Sequence, residues 1–123
     1  MQELTKAEEQ VMQVLWKRGP SFVKELLEDF PEPRPAVTTI STIVRILENK
    51  GVVGYEAFGR SHRYYALITK EEYTRYSLGE MVNQFFSGSA EQLVSFFVKE
   101  KKLSTRELDD ILQLIESKRS KKK

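Results

Sequence analysis

The chain has 123 residues, 40% of them apolar, which suits one domain, or one small domain with an appendage, around a modest core. It has no cysteine, a single histidine and a formal net charge of +2. Disulfides, thiolate metal sites and cysteine nucleophiles are therefore excluded, and bulk charge alone does not announce a nucleic-acid partner.

Thr5-Lys6-Ala7-Glu8 has the form of a capping box and opens a first predicted helix, with Ala7, Val11, Val14, Leu15 and Trp16 inward. Gly19-Pro20 stops it, and Ser21 is placed to cap a second helix carrying Val23, Leu26, Leu27 and Phe30 at helical spacing. Pro31, Pro33 and Pro35 break that helix; Pro35 suits the first turn of a third. The third runs from Arg34 to Asn49, with Val37, Ile40, Val44 and Leu47 on one face and Ile43 between them. Its opposite face carries Thr38, Ser41, Thr42, Arg45 and Asn49 and no carboxylate, a set that can bind phosphates and base edges.

Two β-type runs follow, Val52 to Phe58 and His62 to Leu67, turning at Gly59-Arg60-Ser61. Gly54 interrupts the first run and implies a twist or a close approach. From Arg34 to Arg63 the basic residues Arg34, Arg45, Lys50, Arg60 and Arg63 outnumber the acids Glu48 and Glu56. The patch is small but has the right sign for DNA. Three more capping boxes, Thr69 with Glu72, Ser89 with Gln92 and Ser104 with Glu107, open three further helices. These carry Met81, Phe85, Phe86, Phe96, Phe97, Ile111 and Ile115, more large apolar side chains than such short helices can bury on each other. A second copy of the same segment is the economical cover.

The reading is a mostly α protein with a small β wing. It comprises a winged helix-turn-helix over residues 1–67, a three-helix dimerisation segment over 68–118 and a basic tail over 119–123. The expected DNA contacts are Thr38, Thr39, Ser41, Thr42, Arg45, Arg60 and Arg63, and the expected dimer contacts Met81, Phe85, Phe96, Phe97, Ile111 and Ile115. No cofactor or metal is expected, because His62 stands alone. Catalysis is not expected either: Ser61 and His62 are strand neighbours that point to opposite faces, and no paired carboxylates or phosphate loop appear. Apolar runs such as Phe96-Phe97-Val98 are too short to cross a bilayer, and Met1-Gln2-Glu3 begins no leader, so a cytoplasmic protein without direct membrane contact is expected.

Several short motifs in order resemble the BlaI/MecI family of penicillinase repressors. They are Leu4-Thr5-Lys6-Ala7-Glu8 with Val11-Met12, Leu15-Trp16 and Gly19-Pro20; Thr38-Thr39-Ile40 with Thr42; Leu47-Glu48-Asn49-Lys50-Gly51; Gly59-Arg60 with Tyr64 and Leu67; and Glu71-Glu72-Tyr73. The resemblance runs from Leu4 to about Ile115. It implies a homodimeric repressor on a palindromic double-stranded operator. It also implies relief by a protease linked to a membrane-bound β-lactam sensor, which cuts in the fifth helix. The aligned pair is Phe96-Phe97, with Phe96 where the best-known members have asparagine. Glu9 stands where tryptophan is common and Ile46 where arginine is frequent, with Arg45 one position earlier. The alternatives are a winged-helix protein-interaction module, or a regulator answering a signal other than a β-lactam.

Overall fold

The computed structural model describes residues 3–100, 104–110 and 113. The chain divides into two compact units, Met1–Ser77 and Leu78–Lys123.

In the first unit, helix α1 (Lys6–Arg18) starts on the Thr5 capping box and stops at Gly19, whose positive φ closes the C-terminus. Strand β1 (Ser21–Phe22) leads into α2 (Val23–Glu28), and α3 (Val37–Asn49) comes after the proline-rich turn. Strands β2 (Val53–Phe58) and β3 (Ser61–Ala66) form the hairpin, and α4 (Lys70–Phe85) leaves from it. The sheet is antiparallel in the order β1-β3-β2. The architecture is a winged helix-turn-helix: three helices under a twisted hairpin.

Val11, Met12, Leu15, Leu26, Ile40, Val44, Leu47 and Val53 are all almost fully buried and form one core, closed by Tyr64 and Tyr73. Three expectations need correction. Ala7 is exposed; the inward stripe of α1 is Glu8, Val11, Met12 and Leu15. Ser21 does not cap α2. Its hydroxyl donates to the Gly19 carbonyl at 2.8 Å, and its backbone pairs with Tyr64 in the sheet. Phe22 is the residue before α2, and its N–H donates to the Glu25 carboxylate at 2.8 Å. Pro35 lies two residues outside α3, which begins at Val37 behind Ala36.

Glu8 is the one buried charge of the first unit's described residues. Its Oε1 accepts from the Thr5 N–H at 2.8 Å and from the Lys50 ammonium at 2.7 Å. Burial pushes the carboxyl pKa up, but the hydrogen bonds from Lys50 and Thr5 outweigh it, and the net shift is downward. Tyr73 ties α4 to the same region: its hydroxyl donates to Glu9 at 2.7 Å and accepts from the Leu4 N–H at 3.3 Å. Burial first, then the bond to Glu9, pushes the phenol to about 12. Trp16 donates to the Ile68 carbonyl at 2.9 Å.

In the second unit, α5 (Ala90–Lys99) begins on Ser89, whose hydroxyl accepts from the Gln92 N–H at 3.2 Å. Ser87 and Gly88, both at positive φ, make the turn before it. Residues 105–110 are helical behind Ser104, which accepts from the Glu107 N–H at 3.1 Å. The expected contacts Ile111 and Ile115 lie outside the described residues.

Because the folded-state pKa of Glu8 is lowered, its stabilising contribution is complete above the unfolded carboxylate value of about 4.3. It is lost as pH falls through the folded value. Lys50→Met should cost about 2 kcal/mol in urea unfolding at pH 7 by leaving Glu8 buried and unpaired. The difference from wild type should shrink in acid. A difference that stays constant from pH 7 into acid would show that the pair does not contribute in this way.

Candidate nucleic-acid interface

The exposed face of α3 exists because its apolar residues are so regularly spaced. With Ile40, Val44 and Leu47 turned into the core, Thr38, Thr42, Arg45 and Asn49 are driven to the solvent side. Ser41 is half-buried at the edge of that face. A cleft runs between α3, the start of α2 and the end of the wing. It is lined by Phe22, Lys24 and Glu25 on one side, by Val37, Ser41 and Arg45 on α3, and by Phe58, Arg60, Ser61, His62 and Tyr64 on the hairpin.

The wing turns through Gly59 and Arg60 alone, since Phe58 and Ser61 are already paired. Gly59 has φ 62°, the left-handed value that the first central residue of a II′-type hairpin loop requires. Gly54 answers a different need. A Cβ there would lie 2.9 Å from the ring of its cross-strand partner Tyr65, so the glycine allows the ring to rest on the strand. On the hairpin face nearest Arg45, Tyr55 stacks on His62 with centroids 4.2 Å apart and planes within 14°. His62 meets Tyr64 edge-on at 6.1 Å. Tyr64 is buried, and burial, with the nearby Glu48 charge, pushes its phenol pKa up. The nearby Arg45 guanidinium, which lines the same cleft, opposes that shift.

The cations of the region fall into two groups. Arg34 donates to the carbonyls of Phe30 and Glu28 at 3.2 and 3.3 Å, and Lys50 is held by Glu8. Among the described residues, Arg45, Arg60 and Lys24 have no carboxylate within 4.0 Å. The pairing of Arg45 with Glu48 that their spacing would allow is thus not made. Free guanidinium and ammonium groups around one cleft are what phosphate binding needs.

Of the residues proposed from sequence, Ser41, Arg45 and Arg60 meet at this cleft, and Thr38 and Thr42 lie on the adjoining surface of α3. Thr39 is exposed on the flank of α3. Arg63 is not in the cleft lining; strand alternation puts it on the sheet face away from His62 and Tyr64, opposite Glu56. Lys24, Tyr55 and Tyr64 were missed as site residues. Lys24 could have been found as a solvent-facing cation in the first turn of the second helix. The two tyrosines carry no local signal, because their role depends on strand register. Among the described residues no group of three or more His, Asp or Glu could hold a metal ion, and no helix is long and apolar enough to cross a membrane.

The profile of the family described as penicillinase repressor matches residues 4–117. The penicillinase repressor of Bacillus licheniformis is 25% identical over 122 residues, covering 98% of this chain and 95% of its own. The methicillin resistance regulatory protein MecI of Staphylococcus aureus strain N315 is 22% identical over 117 residues, covering 94% and 95%. Among solved structures, a MarR family protein from Bacillus stearothermophilus aligns with a TM-score of 0.48 at 22% identity, over 82% of this chain and 73% of that one. A MarR family regulator from Neisseria meningitidis aligns at 0.42 and 16% identity, over 98% and 82%.

The two groups of cations should separate experimentally. In titrations of duplex DNA at several salt concentrations, Lys24→Ala and Arg60→Ala should each reduce the slope of log affinity against log salt by about 1. Arg34→Ala should leave it unchanged, since its guanidinium serves its own backbone. A slope that responds to Arg34 and ignores Lys24 and Arg60 would place the DNA elsewhere.

Proposed function

We propose that this chain, which belongs to the penicillinase repressor family, is a homodimeric repressor that binds two inverted half-sites of a double-stranded operator. The observation that carries this reading is the convergence of Arg45, Arg60 and Lys24, none with a carboxylate within 4.0 Å among the described residues, on one cleft beside α3. Helix α3 enters the major groove with Thr38, Thr42, Arg45 and Asn49 foremost, while Arg60 and Lys24 meet the flanking phosphates. Thr39, Ser41 and Arg63 belong to the same surface or its margins. The family and its fold are those of transcriptional regulators, not enzymes.

Dimerisation is supported by the second unit. No residue of α5 is buried, although it carries Leu93, Val94, Phe96, Phe97 and Val98, and in α4 Phe85 is 73% and Met81 41% exposed. Aromatic groups so uncovered on adjoining helices form a patch that a soluble monomer rarely presents. A second copy covers it through a two-fold axis, which also matches the symmetry of inverted half-sites. Residues 68–118 then hold the dimer while residues 1–67 read DNA, and residues 119–123 form a basic tail; the site of action is the cytoplasm.

Relief comes from a cut between Phe96 and Phe97, which would divide α5 and sever the rest of the dimerisation segment from the reading domain. Both side chains are exposed, at 49% and 40%. Phe96 in place of the asparagine of the resembled repressors favours a protease of different preference, or a signal other than a β-lactam. The named functions of the relatives, in penicillinase expression and methicillin resistance, come to this chain as part of the proposal.

Phe97→Asp should give monomers in sedimentation at low micromolar concentration. It should bind a two-half-site promoter duplex at least about 100-fold more weakly, through lost avidity. Its affinity for a duplex with one half-site should match wild type, which also verifies that the reading domain is folded. A variant that remains dimeric and binds the full duplex normally would remove the second unit from the account.

A further inference from the structure

Around its axis, the exposed surface of α3 has two chemically different edges. At about 100° per residue, Thr38, Arg45 and Asn49 share a stripe about 40° wide, which is the donor edge. Thr42, Ile46 and Thr39 lie in turn on one side of it. Ile46 is 40% exposed, whereas Ile40, Val44 and Leu47 of the same helix are at 1% or less. No part of the core claims it. Thr42 is its neighbour one turn earlier, at the i, i+4 spacing that puts two side chains in contact range.

The hydroxyl of Thr42 is already occupied. Its Oγ1 donates to the Thr38 carbonyl at 2.9 Å, so its proton is directed into the helix. What Thr42 has left to offer a partner is its methyl group and an acceptor lone pair. Thr42 and Ile46 together therefore make an apolar edge beside the guanidinium of Arg45. This differs from the hydroxyl-donor role that the sequence suggested for Thr42.

In the DNA-binding reading, on which this inference rests, that edge faces the major groove of B-form DNA. The only apolar group displayed in the major groove is the thymine C5-methyl. We propose that Ile46 and Thr42 are specificity-determining residues that select thymine by contact with its C5-methyl, next to the base read by Arg45. A half-site should then place a thymine beside a guanine, the base whose paired acceptors a guanidinium recognises. Arg45 and Ile46 occupy consecutive positions of α3, so the two kinds of reading are adjacent on the DNA.

The test is chemical. Two synthetic duplexes of the chain's own promoter are compared by fluorescence anisotropy, one natural and one with every thymine replaced by deoxyuridine, which removes only the C5-methyl groups. Wild-type protein should bind the deoxyuridine duplex about five- to tenfold more weakly. The double variant Ile46→Ala with Thr42→Ser keeps the hydroxyl bond to Thr38 and lacks the methyl edge. It should lose a similar factor on the natural duplex and show no further loss on the deoxyuridine duplex. Arg45→Ala should keep the deoxyuridine penalty. Equal wild-type affinity for both duplexes overturns the inference, as does a deoxyuridine penalty that survives in the double variant, because that penalty would come from altered duplex mechanics. In either case the DNA-binding reading stands. If wild type binds neither duplex, that reading fails first and this one with it.

Discussion

Helix α3 is tied to the rest of its domain by one buried charge. Ile40, Val44 and Leu47 give α3 its place against α1, but apolar packing is non-directional and tolerates some rotation about the helix axis. The Lys50–Glu8 contact is directional. Lys50 is the C-cap of α3, and its ammonium reaches a carboxylate oxygen that also accepts the N-cap amide of α1. The positive charge lies at the carboxyl end of α3, where the helix dipole favours it. One carboxylate thereby joins the start of α1 to the end of α3. The cost of burying Glu8 is offset by two hydrogen bonds to the same oxygen, so removing either partner is expensive in a way that removing both need not be.

The wing solves a second positional problem with glycine and aromatic rings. A two-residue loop keeps the hairpin tight, so Arg60 sits at its very end rather than on a long mobile loop. Gly54 leaves room for the ring of its cross-strand partner Tyr65, which a Cβ would meet at 2.9 Å. On the other side of the sheet, Tyr55 stacks on His62, which meets Tyr64 edge-on, and the three rings line a pocket with Arg45. Tyr64 and Arg45 thus line one pocket, which the wing and the helix share. The lone histidine is part of this packing.

Most of this fold is legible in the sequence because its signals are local. The pairs Thr5 with Glu8, Thr69 with Glu72, Ser89 with Gln92 and Ser104 with Glu107 each span three residues at a helix start. The first two are full capping boxes, whereas among the described residues Ser89 and Ser104 cap by the hydroxyl alone, without the expected return bond to their own N–H. The apolar period of α3 is equally plain. The features that escape a sequence reading depend on contacts between distant residues. Strand β1 is two residues long and exists only because β3 pairs with it, so Ser21 has the look of a helix cap. Lys50 and Arg34 count toward a basic patch only while their partners, Glu8 and the Phe30 and Glu28 carbonyls, are ignored. Residue type and spacing place a side chain on a face, but they do not say whether its hydrogen-bonding capacity is already occupied.

Helix α5 is the opposite case, an element with little support among the described residues, and on the proposed reading this is why a cut there would act as a switch. A ten-residue helix is marginal in water by itself, because nucleation is costly and few bonds repay it. Among the described residues α5 has the Ser89 cap and the edge contacts of Phe96 with Phe86 and Phe97, but no buried side chain. On the proposed reading, its helical state depends on the partner copy that covers its apolar face. A protease requires an extended segment, and the backbone between Phe96 and Phe97 is inside a helix. On the proposed reading, the dimer covers α5 and keeps that bond helical, while dissociation leaves it free to open. Cleavage would then draw on the dissociated population, and each cut would prevent reassociation. On that reading, a weakly self-sufficient helix at the centre of the interface makes such coupling possible, whereas a helix rooted in its own chain's core would resist cleavage in monomer and dimer alike.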